Sequence, residues 1–262
     1  MISNRIKDAF EPTGWHLERG ILEPDFVGQV RDFLDSRRLR LQLQFSEWVG
    51  ETVTDASYAA HQPKTEEYIA RGLPKDLKHF LRGEFDLDTR LDKRVMQVLA
   101  TPRVLGYLSH FLQSDGYCIH YPPMIRFKMA AADASKLPPH QDWPYNAHMK
   151  DFLTVWVPLV TIDEGTGGVV VYESSHQDGS VKHVPEGSWE AKAQADLDKY
   201  PQRHVLMNPG DILTFPSELL HASAPQTSPR IRYSIDFRVF RNPEDSTKSF
   251  FKAKTQEIVR VD

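Results

Sequence analysis

Cysteine and long apolar runs are nearly absent from this 262-residue chain. Cys118 is the only cysteine, so no disulfide framework can form. No apolar run approaches the roughly 20 residues of a membrane-spanning helix, and Met1 to Arg5 are not followed by an apolar signal core. Basic blocks are also missing and the formal net charge is −4, so nothing predicts a nucleic-acid partner. We therefore expect a cytoplasmic protein that binds neither membranes nor nucleic acid.

Two patterns follow each other along the chain, and we expect them to form one domain over residues 1–262. Apolar residues at helical spacing predict a helical first part, with helices at residues 26–34, 75–81, 91–100 and 102–112. Arg37, Arg38 and Arg40 are expected near the end of the first helix. Short apolar runs separated by Gly and Pro then predict strands, at residues 117–121, 124–130, 152–160, 169–172, 204–207, 212–215 and 231–240. Residues 41–74 are predicted to be a loop-rich segment or lid, and residues 177–200 a polar insertion, partly helical around 189–197.

The segment with the clearest chemistry is Pro139-His140-Gln141-Asp142-Trp143. On an extended segment, residues two apart point the same way, so His140 and Asp142 can converge on one point. Two protein groups seldom hold a first-row metal well, and His221, far downstream, is the natural third ligand. Two histidines and one carboxylate form the ligand set of non-haem Fe(II) oxygenases, which leaves open positions on the metal.

The last predicted strand has a polar face, because Arg232, Ser234, Asp236 and Arg238 alternate with apolar residues. A buried guanidinium needs an anionic partner. A dicarboxylate ligand matches the planar fork of Arg232, while Asp236 is an alternative partner within the chain. Arg230 would share this face, but it lies two residues earlier, at the entry of the strand. Arg232 is therefore the favoured residue for binding such a ligand.

Several motifs in a fixed order carry a resemblance to a known family. They are His140-Gln141-Asp142, Trp156, Gly167-Gly168, Ser175-His176, Asn208-Pro209-Gly210-Asp211, His221 with Ser223, and Arg232 with Ser234. The chain thereby resembles the Fe(II)/2-oxoglutarate-dependent oxygenases of the phytanoyl-CoA dioxygenase type, over roughly residues 120–240 and more weakly toward the N-terminus. The resemblance implies a mainly β fold with flanking helices, the double-stranded β-helix (jelly roll, cupin-like).

The resemblance also implies roles for individual residues. His140, Asp142 and His221 would be the metal ligands and catalytic residues, holding Fe(II). Arg232, which follows His221 by 11 residues, would bind the far carboxylate of 2-oxoglutarate, the cosubstrate used with O2. Three further residues are expected to help bind the cosubstrate: Ser223, Ser234 and Trp156.

A second His-x-Asp motif, His176-Gln177-Asp178, is a weaker alternative for the metal site. It lies 45 residues before His221, whereas His140 lies 81 residues before it. A jelly roll brings early and late strands together, so the longer separation favours His140.

The activity that this pattern predicts is Fe(II)- and 2-oxoglutarate-dependent hydroxylation of a small polar metabolite or natural-product intermediate. Asp142 keeps the carboxylate that related halogenases replace with a small residue, which favours hydroxylation. The alternative is a cupin-like metal-binding protein or a metal-dependent hydrolase on the same fold. Residues near the metal motif, such as Tyr145 and Asn146, are candidates for contact with the substrate, as are Arg126 and Lys128 on the preceding strand.

Overall fold

The structure is a computed structural model that describes residues 8–129, 137–186 and 190–261. Its helices are α1 (Pro24–Val49), α2 (Tyr58–His61), α3 (Thr65–Ala70), α4 (Lys75–Leu81), α5 (Leu87–Arg90), α6 (Lys93–Gln97) and α7 (Pro102–Leu112). Its strands are β1 (His16–Glu18), β2 (Cys118–His120), β3 (Met124–Lys128), β4 (Leu153–Pro158), β5 (Val169–Tyr172), β6 (His183–Glu186), β7 (Glu190–Ala193), β8 (Gln202–His204), β9 (Ile212–Pro216), β10 (His221–Ser223), β11 (Arg232–Phe240), β12 (Phe250–Lys252) and β13 (Glu257–Val259). Among the described helices, none combines the length and apolarity that a membrane span requires.

Helix α1 is longer than the sequence suggested, and this corrects the prediction for residues 41–74. Pro24 in the first turn starts the helix, and it ends at Gly50, whose φ of 81° is favourable for glycine. The buried stripe continues through Leu41 and Phe45, but Arg38 occupies one of its positions and hides the apolar periodicity. Arg38 is buried because its guanidinium donates to the Tyr233 hydroxyl at 2.6 Å and pairs with an aspartate. The expectation that residues 37–40 lie near the helix end was therefore wrong.

The remaining helices show how capping sets boundaries. Helices α4 and α7 cover residues 75–81 and 102–112 as predicted, and the Thr101 hydroxyl accepts from the N–H of Val104 at 3.4 Å. Of the single helix predicted over residues 91–100, only the shorter α6 forms, and α5 precedes it as a separate helix. Asp86 and Asp92 each cap a new start, because their side chains accept backbone N–H groups two or three residues later.

Antiparallel strands form two main sheets with an apolar layer between them, and β6 and β7 form a separate two-stranded sheet. The larger sheet has the order β1-β9-β4-β11-β2-β12-β13, with β3 also paired to β11, and the smaller has the order β10-β5-β8. Side chains from both sheets, including Trp156, Leu213 and Phe215 from the larger and Val169 and Val171 from the smaller, pack into one cluster. This is the sandwich arrangement of a jelly roll.

Strand β11 separates the helical layer from the interior of the sandwich. Tyr233, Ile235, Phe237 and Val239 belong to the large apolar cluster that includes the helices. The alternate residues therefore face the other way, toward the space between the two sheets. The polar face predicted for this strand thus lies inside the molecule.

The segment predicted to be partly helical around residues 189–197 forms a hairpin instead. Strands β6 and β7 pair with each other in antiparallel register, and a 3₁₀ turn at Leu197–Lys199 follows. Trp189 lies outside the described residues. The hairpin is held by a long-range contact, since the N–H of Ala193 donates to the carbonyl of Pro139 at 2.8 Å. Local sequence pattern does not carry such a contact, which is why the helical prediction was wrong here.

Candidate metal centre

The two candidate metal-binding histidines face each other across an antiparallel bridge. The N–H of His140 donates to the carbonyl of His221 at 2.9 Å, and the N–H of His221 donates back at the same distance. Asp142 does not lie on a strand, because it precedes the 3₁₀ turn Trp143–Asn146 with φ −80° and ψ −24°. The N–H of Asp142 instead donates to the carbonyl of Ser217 at 3.0 Å. The carboxylate reaches the histidines because the chain turns, not because the strand continues.

The side chains of His140, Asp142 and His221 meet in a buried cluster. One Asp142 oxygen lies 3.9 Å from Nε2 of His140, and the other lies 3.7 Å from Nε2 of His221. The three potential ligand atoms all lie within 4.8 Å of one another. Within the described parts of the chain, no other group of three metal-ligating side chains comes together. The set of donor atoms suits a metal such as iron that accepts imidazole and carboxylate.

Both imidazoles are oriented by backbone carbonyls. Nδ1 of His140 lies 2.7 Å from the carbonyl of Pro138, and Nδ1 of His221 lies 3.0 Å from that of Leu219. A carbonyl can only accept, so each Nδ1 carries the proton and each Nε2 keeps its lone pair for a metal. Burial, and then the neighbouring His221, lowers the pKa of His140 to about 3. His140 is therefore a neutral imidazole, as ligation requires.

The Asp142 carboxylate is held between a cation and a hydroxyl. The Arg238 guanidinium donates to Oδ1 at 2.8 Å, and the Thr154 hydroxyl donates to Oδ2 at 2.5 Å. Arg238 also pairs with Asp236. Burial alone would raise the pKa of the Asp142 carboxyl, but the positive charge of Arg238 is the first of the effects that outweigh burial and lower that pKa. The contact between Arg238 and Asp142 was not predicted, and the alternation along β11 was its only signal in the sequence.

Gln141, between the two candidate ligands, bonds to other segments of the chain and fixes the loop. Its Nε2 donates to the carbonyls of Gly179 and Glu218 at 2.8 and 2.7 Å. Its Oε1 accepts from Nε1 of Trp143 and from the N–H of Val181, both at 2.9 Å. The fully bonded amide therefore anchors the motif to the segment before the β6–β7 hairpin.

Within the described ranges, the second His-x-Asp motif joins no group of three metal-ligating side chains. His176 and Asp178 lie on the 3₁₀ turn Ser175–Asp178. The Asp178 carboxylate accepts from the Lys199 ammonium and the Tyr200 hydroxyl, so it is already satisfied on the surface. Neither His176 nor Asp178 belongs to the group formed by His140, Asp142 and His221.

A cavity of about 270 Å³ opens beside the candidate metal ligands, and Arg232 is one of the residues that line it. Arg232 is 5% exposed, and its Nε has no hydrogen-bond partner among the described residues. Its guanidinium carbon lies 5.9 Å from the centre of the Trp156 ring. Asp236, the alternative partner within the chain, pairs with Arg238 instead. Burial, and then the charge of Arg126, lowers the pKa of Arg232 to about 10.

The remaining predicted residues differ in their access to this cavity. Trp156 and Ser223 line it, and the Ser223 oxygen accepts from the N–H of Leu137 at 3.1 Å, which leaves the hydroxyl proton available to a ligand. Ser234 is buried and is not among the residues that line the cavity. Arg230 lies on the surface in an ion pair with Asp163. Arg126, Tyr145 and Asn146 also line the cavity.

Comparison with known proteins places the chain in a family. The family model described as phytanoyl-CoA dioxygenase (PhyH) matches residues 55–234. The chain belongs to this family, which confirms the resemblance seen in the sequence.

Two kinds of curated relative match part of the chain. A 1-deoxypentalenic acid 11-beta-hydroxylase of Streptomyces arenae is 33% identical over 141 residues, covering 48% of this chain and 49% of the relative. The peroxisomal phytanoyl-CoA dioxygenase of Mus musculus is 26% identical over 162 residues, covering 56% of this chain and 46% of the relative. The chain therefore spans about half the length of the curated relatives that it matches.

Solved structures show the same fold at low sequence identity. The non-heme monooxygenase ThoJ in its apo form matches with a TM-score of 0.66 and 14% identity, over 98% of this chain and 88% of that protein. EctD from S. alaskensis, solved with 2-oxoglutarate and 5-hydroxyectoine, matches with a TM-score of 0.55 and 17% identity, over 92% and 76%. The predicted jelly-roll fold with flanking helices is confirmed.

Proposed function

We propose that this protein is an Fe(II)- and 2-oxoglutarate-dependent dioxygenase that hydroxylates a small polar metabolite or natural-product intermediate. The observation that carries the proposal is the pairing of two features in one cavity. His140, Asp142 and His221 offer a converging set of donor atoms, and Arg232 offers a buried cation that has no anionic partner among the described residues. A metal ion and a dicarboxylate would complete both features.

His140, Asp142 and His221 would hold the iron, and their side chains fit it because both Nε2 lone pairs and the carboxylate meet at one point. Arg232 would bind the far carboxylate of 2-oxoglutarate through its guanidinium. Ser223 would add a hydroxyl donor, and the Trp156 ring would pack beside Arg232. Iron, when bound, supplies O2 activation coupled to the decarboxylation of 2-oxoglutarate to succinate.

The chain's own contribution is to orient these groups and exclude water. The ligand histidines and Asp142 are each no more than 8% exposed, which strengthens their interactions with charged ligands. Arg238 and Thr154 keep the Asp142 carboxylate in place. Hydroxylation is favoured because Asp142 keeps its carboxylate, and the name of the Streptomyces relative, a hydroxylase, supports this choice.

The test is succinate formation by the purified protein with Fe(II), 2-oxoglutarate and O2, against a panel of metabolites. We expect slow turnover of 2-oxoglutarate without substrate and faster turnover with a substrate, and Asp142→Ala should lose both. Tight metal binding without 2-oxoglutarate-dependent O2 consumption would favour a binding protein. Hydrolysis supported by zinc alone would favour a metal-dependent hydrolase.

A further inference from the structure

A second group of charged residues lines the same cavity, and none of its members is a candidate metal ligand. Glu84, just after α4, lies 3.5 Å from the Arg126 guanidinium and 3.1 Å from Nδ1 of His79. Glu84 and Arg126 also form a backbone bridge, which fixes this pair relative to β3. The carboxylate of Glu84 is thus already engaged on two sides.

Arg90, at the end of α5, lines the cavity with this group and makes few contacts with polar groups of the described residues. Its Nε donates to the carbonyl of Pro123 at 2.8 Å, which fixes the plane of the guanidinium. Within the described residues, Arg90 makes no other hydrogen bond and no ion pair. Burial lowers the pKa of Arg90; attraction from Glu84 opposes this effect, and repulsion from Arg126 adds to it. Two terminal nitrogens of a half-buried cation therefore remain available in the cavity wall.

The charges around the cavity do not balance. The described residues that line it include four arginines and three carboxylates: Arg90, Arg126, Arg232, Arg238, Glu84, Asp142 and Asp236. Arg238 forms ion pairs with both aspartates, and Arg126 forms one with Glu84. Bound Fe(II) and 2-oxoglutarate carry equal and opposite charges, and 2-oxoglutarate would occupy Arg232. Among the described residues, one positive charge is left over, and Arg90 is, besides Arg232, the arginine of this set that forms no ion pair.

We propose that the substrate carries a carboxylate, bound by Arg90, on an otherwise apolar body. A carboxylate matches the guanidinium fork with two parallel hydrogen bonds. An apolar body suits the neighbouring wall, where Pro122, Pro123 and Met124 line the cavity. This inference rests on the proposed function, because the cosubstrate is taken to occupy Arg232.

The experiment compares a rigid acid with its uncharged analogue. Adamantane-1-carboxylate and adamantane-1-carboxamide are titrated calorimetrically into the protein, held without O2 and saturated with Fe(II) and 2-oxoglutarate. A second pair, decanoate and decanamide, covers a flexible body. The variants are Arg90→Gln, Arg90→Lys and the control Arg103→Gln, which changes an exposed arginine paired with Glu23.

We expect wild type and the control to bind at least one acid more tightly than its amide, by roughly 10- to 150-fold, the contribution of a charged hydrogen bond. Arg90→Gln should abolish that preference, and Arg90→Lys should keep part of it. The affinities for iron and 2-oxoglutarate should stay unchanged in all three variants. The bound acid should also stimulate succinate formation by wild type once O2 is admitted.

Three results would overturn the proposal: binding of no acid better than its amide, an acid preference that survives Arg90→Gln, or a loss of 2-oxoglutarate affinity in that variant as large as the loss of acid affinity. Failure of the proposed function would look different. In that case the protein would not bind 2-oxoglutarate or turn it over, whatever the outcome for the acids.

Discussion

Arg232 provides the sharpest test of the cosubstrate, because its roles in binding and in folding predict opposite effects of one substitution. Arg232→Met keeps an unbranched, flexible side chain but removes the charge and the guanidinium. Loss of a charged hydrogen bond, about 1.5–3 kcal/mol, should weaken 2-oxoglutarate binding by roughly 10- to 150-fold. Arg232→Lys keeps the charge without the planar fork and should give an intermediate loss.

The same substitution should not destabilise the protein without its cosubstrate. Arg232 is 5% exposed, and its Nε is buried without a partner among the described residues. A buried unsatisfied donor costs about 1–3 kcal/mol, so Arg232→Met should leave the free energy of unfolding unchanged or raise it. Urea denaturation of the apo protein measures this quantity, and calorimetric titration with 2-oxoglutarate in the absence of O2 measures the affinity.

Arg230→Ala is the matched control, because Arg230 lies two residues earlier but on the surface, paired with Asp163. It should leave the affinity for 2-oxoglutarate unchanged, and iron binding should survive every one of these substitutions. The reasoning is refuted if Arg232→Met lowers the unfolding free energy while 2-oxoglutarate binds as tightly as in wild type. That result would make Arg232 a structural residue.

Three further predictions concern the metal site and pH. His140→Ala and His221→Ala should each lose tight iron binding and succinate formation, and near-wild-type affinity in an iron titration of either would reject the ligand assignment. Arg238→Met should leave the buried Asp142 and the half-buried Asp236 without their shared cation, destabilising the fold by about 3–5 kcal/mol in urea and weakening iron binding. An unaltered iron affinity would show that Arg238 does not position Asp142. Burial, and then His148, lowers the pKa of His120 to about 3. As the pH falls below about 6.5, His120 therefore takes up a proton in the unfolded chain but not in the folded one, and the free energy of unfolding drops. His120→Leu should therefore flatten the dependence of the unfolding free energy on pH between 6.5 and 4, by at most about 1.4 kcal/mol per pH unit, and an unchanged slope would contradict the assignment.

The parts of the site that were predicted from sequence are those encoded by spacing. The short separation of His140 and Asp142 in the sequence marked the motif, and the resemblance to the family pointed to Arg232 through its offset of 11 residues from His221. Alternation along residues 231–240 correctly predicted a polar face, because a strand turns successive side chains to opposite sides.

The parts that were missed depend on contacts between distant segments. Arg38 in α1 breaks the apolar stripe, and it is buried because it bonds to the Tyr233 hydroxyl on β11 and pairs with Asp55. The contact of Arg238 with Asp142 spans 96 residues, and Arg90 reaches the cavity from a short helix whose start is set by the Asp86 cap. No local pattern specifies which distant element such a residue will meet.

The mutual backbone bonds between His140 and His221 couple metal binding to folding. The two residues lie far apart in the chain and come together only when β10 has paired with the segment before Asp142. An unfolded or partly synthesised chain thus lacks the complete ligand set. A metal that requires all three ligands would bind the folded form alone. At a free metal concentration 100 times the dissociation constant, such selective binding adds about 2.7 kcal/mol to stability. The supply of iron would then set how long the protein persists as well as how fast it works.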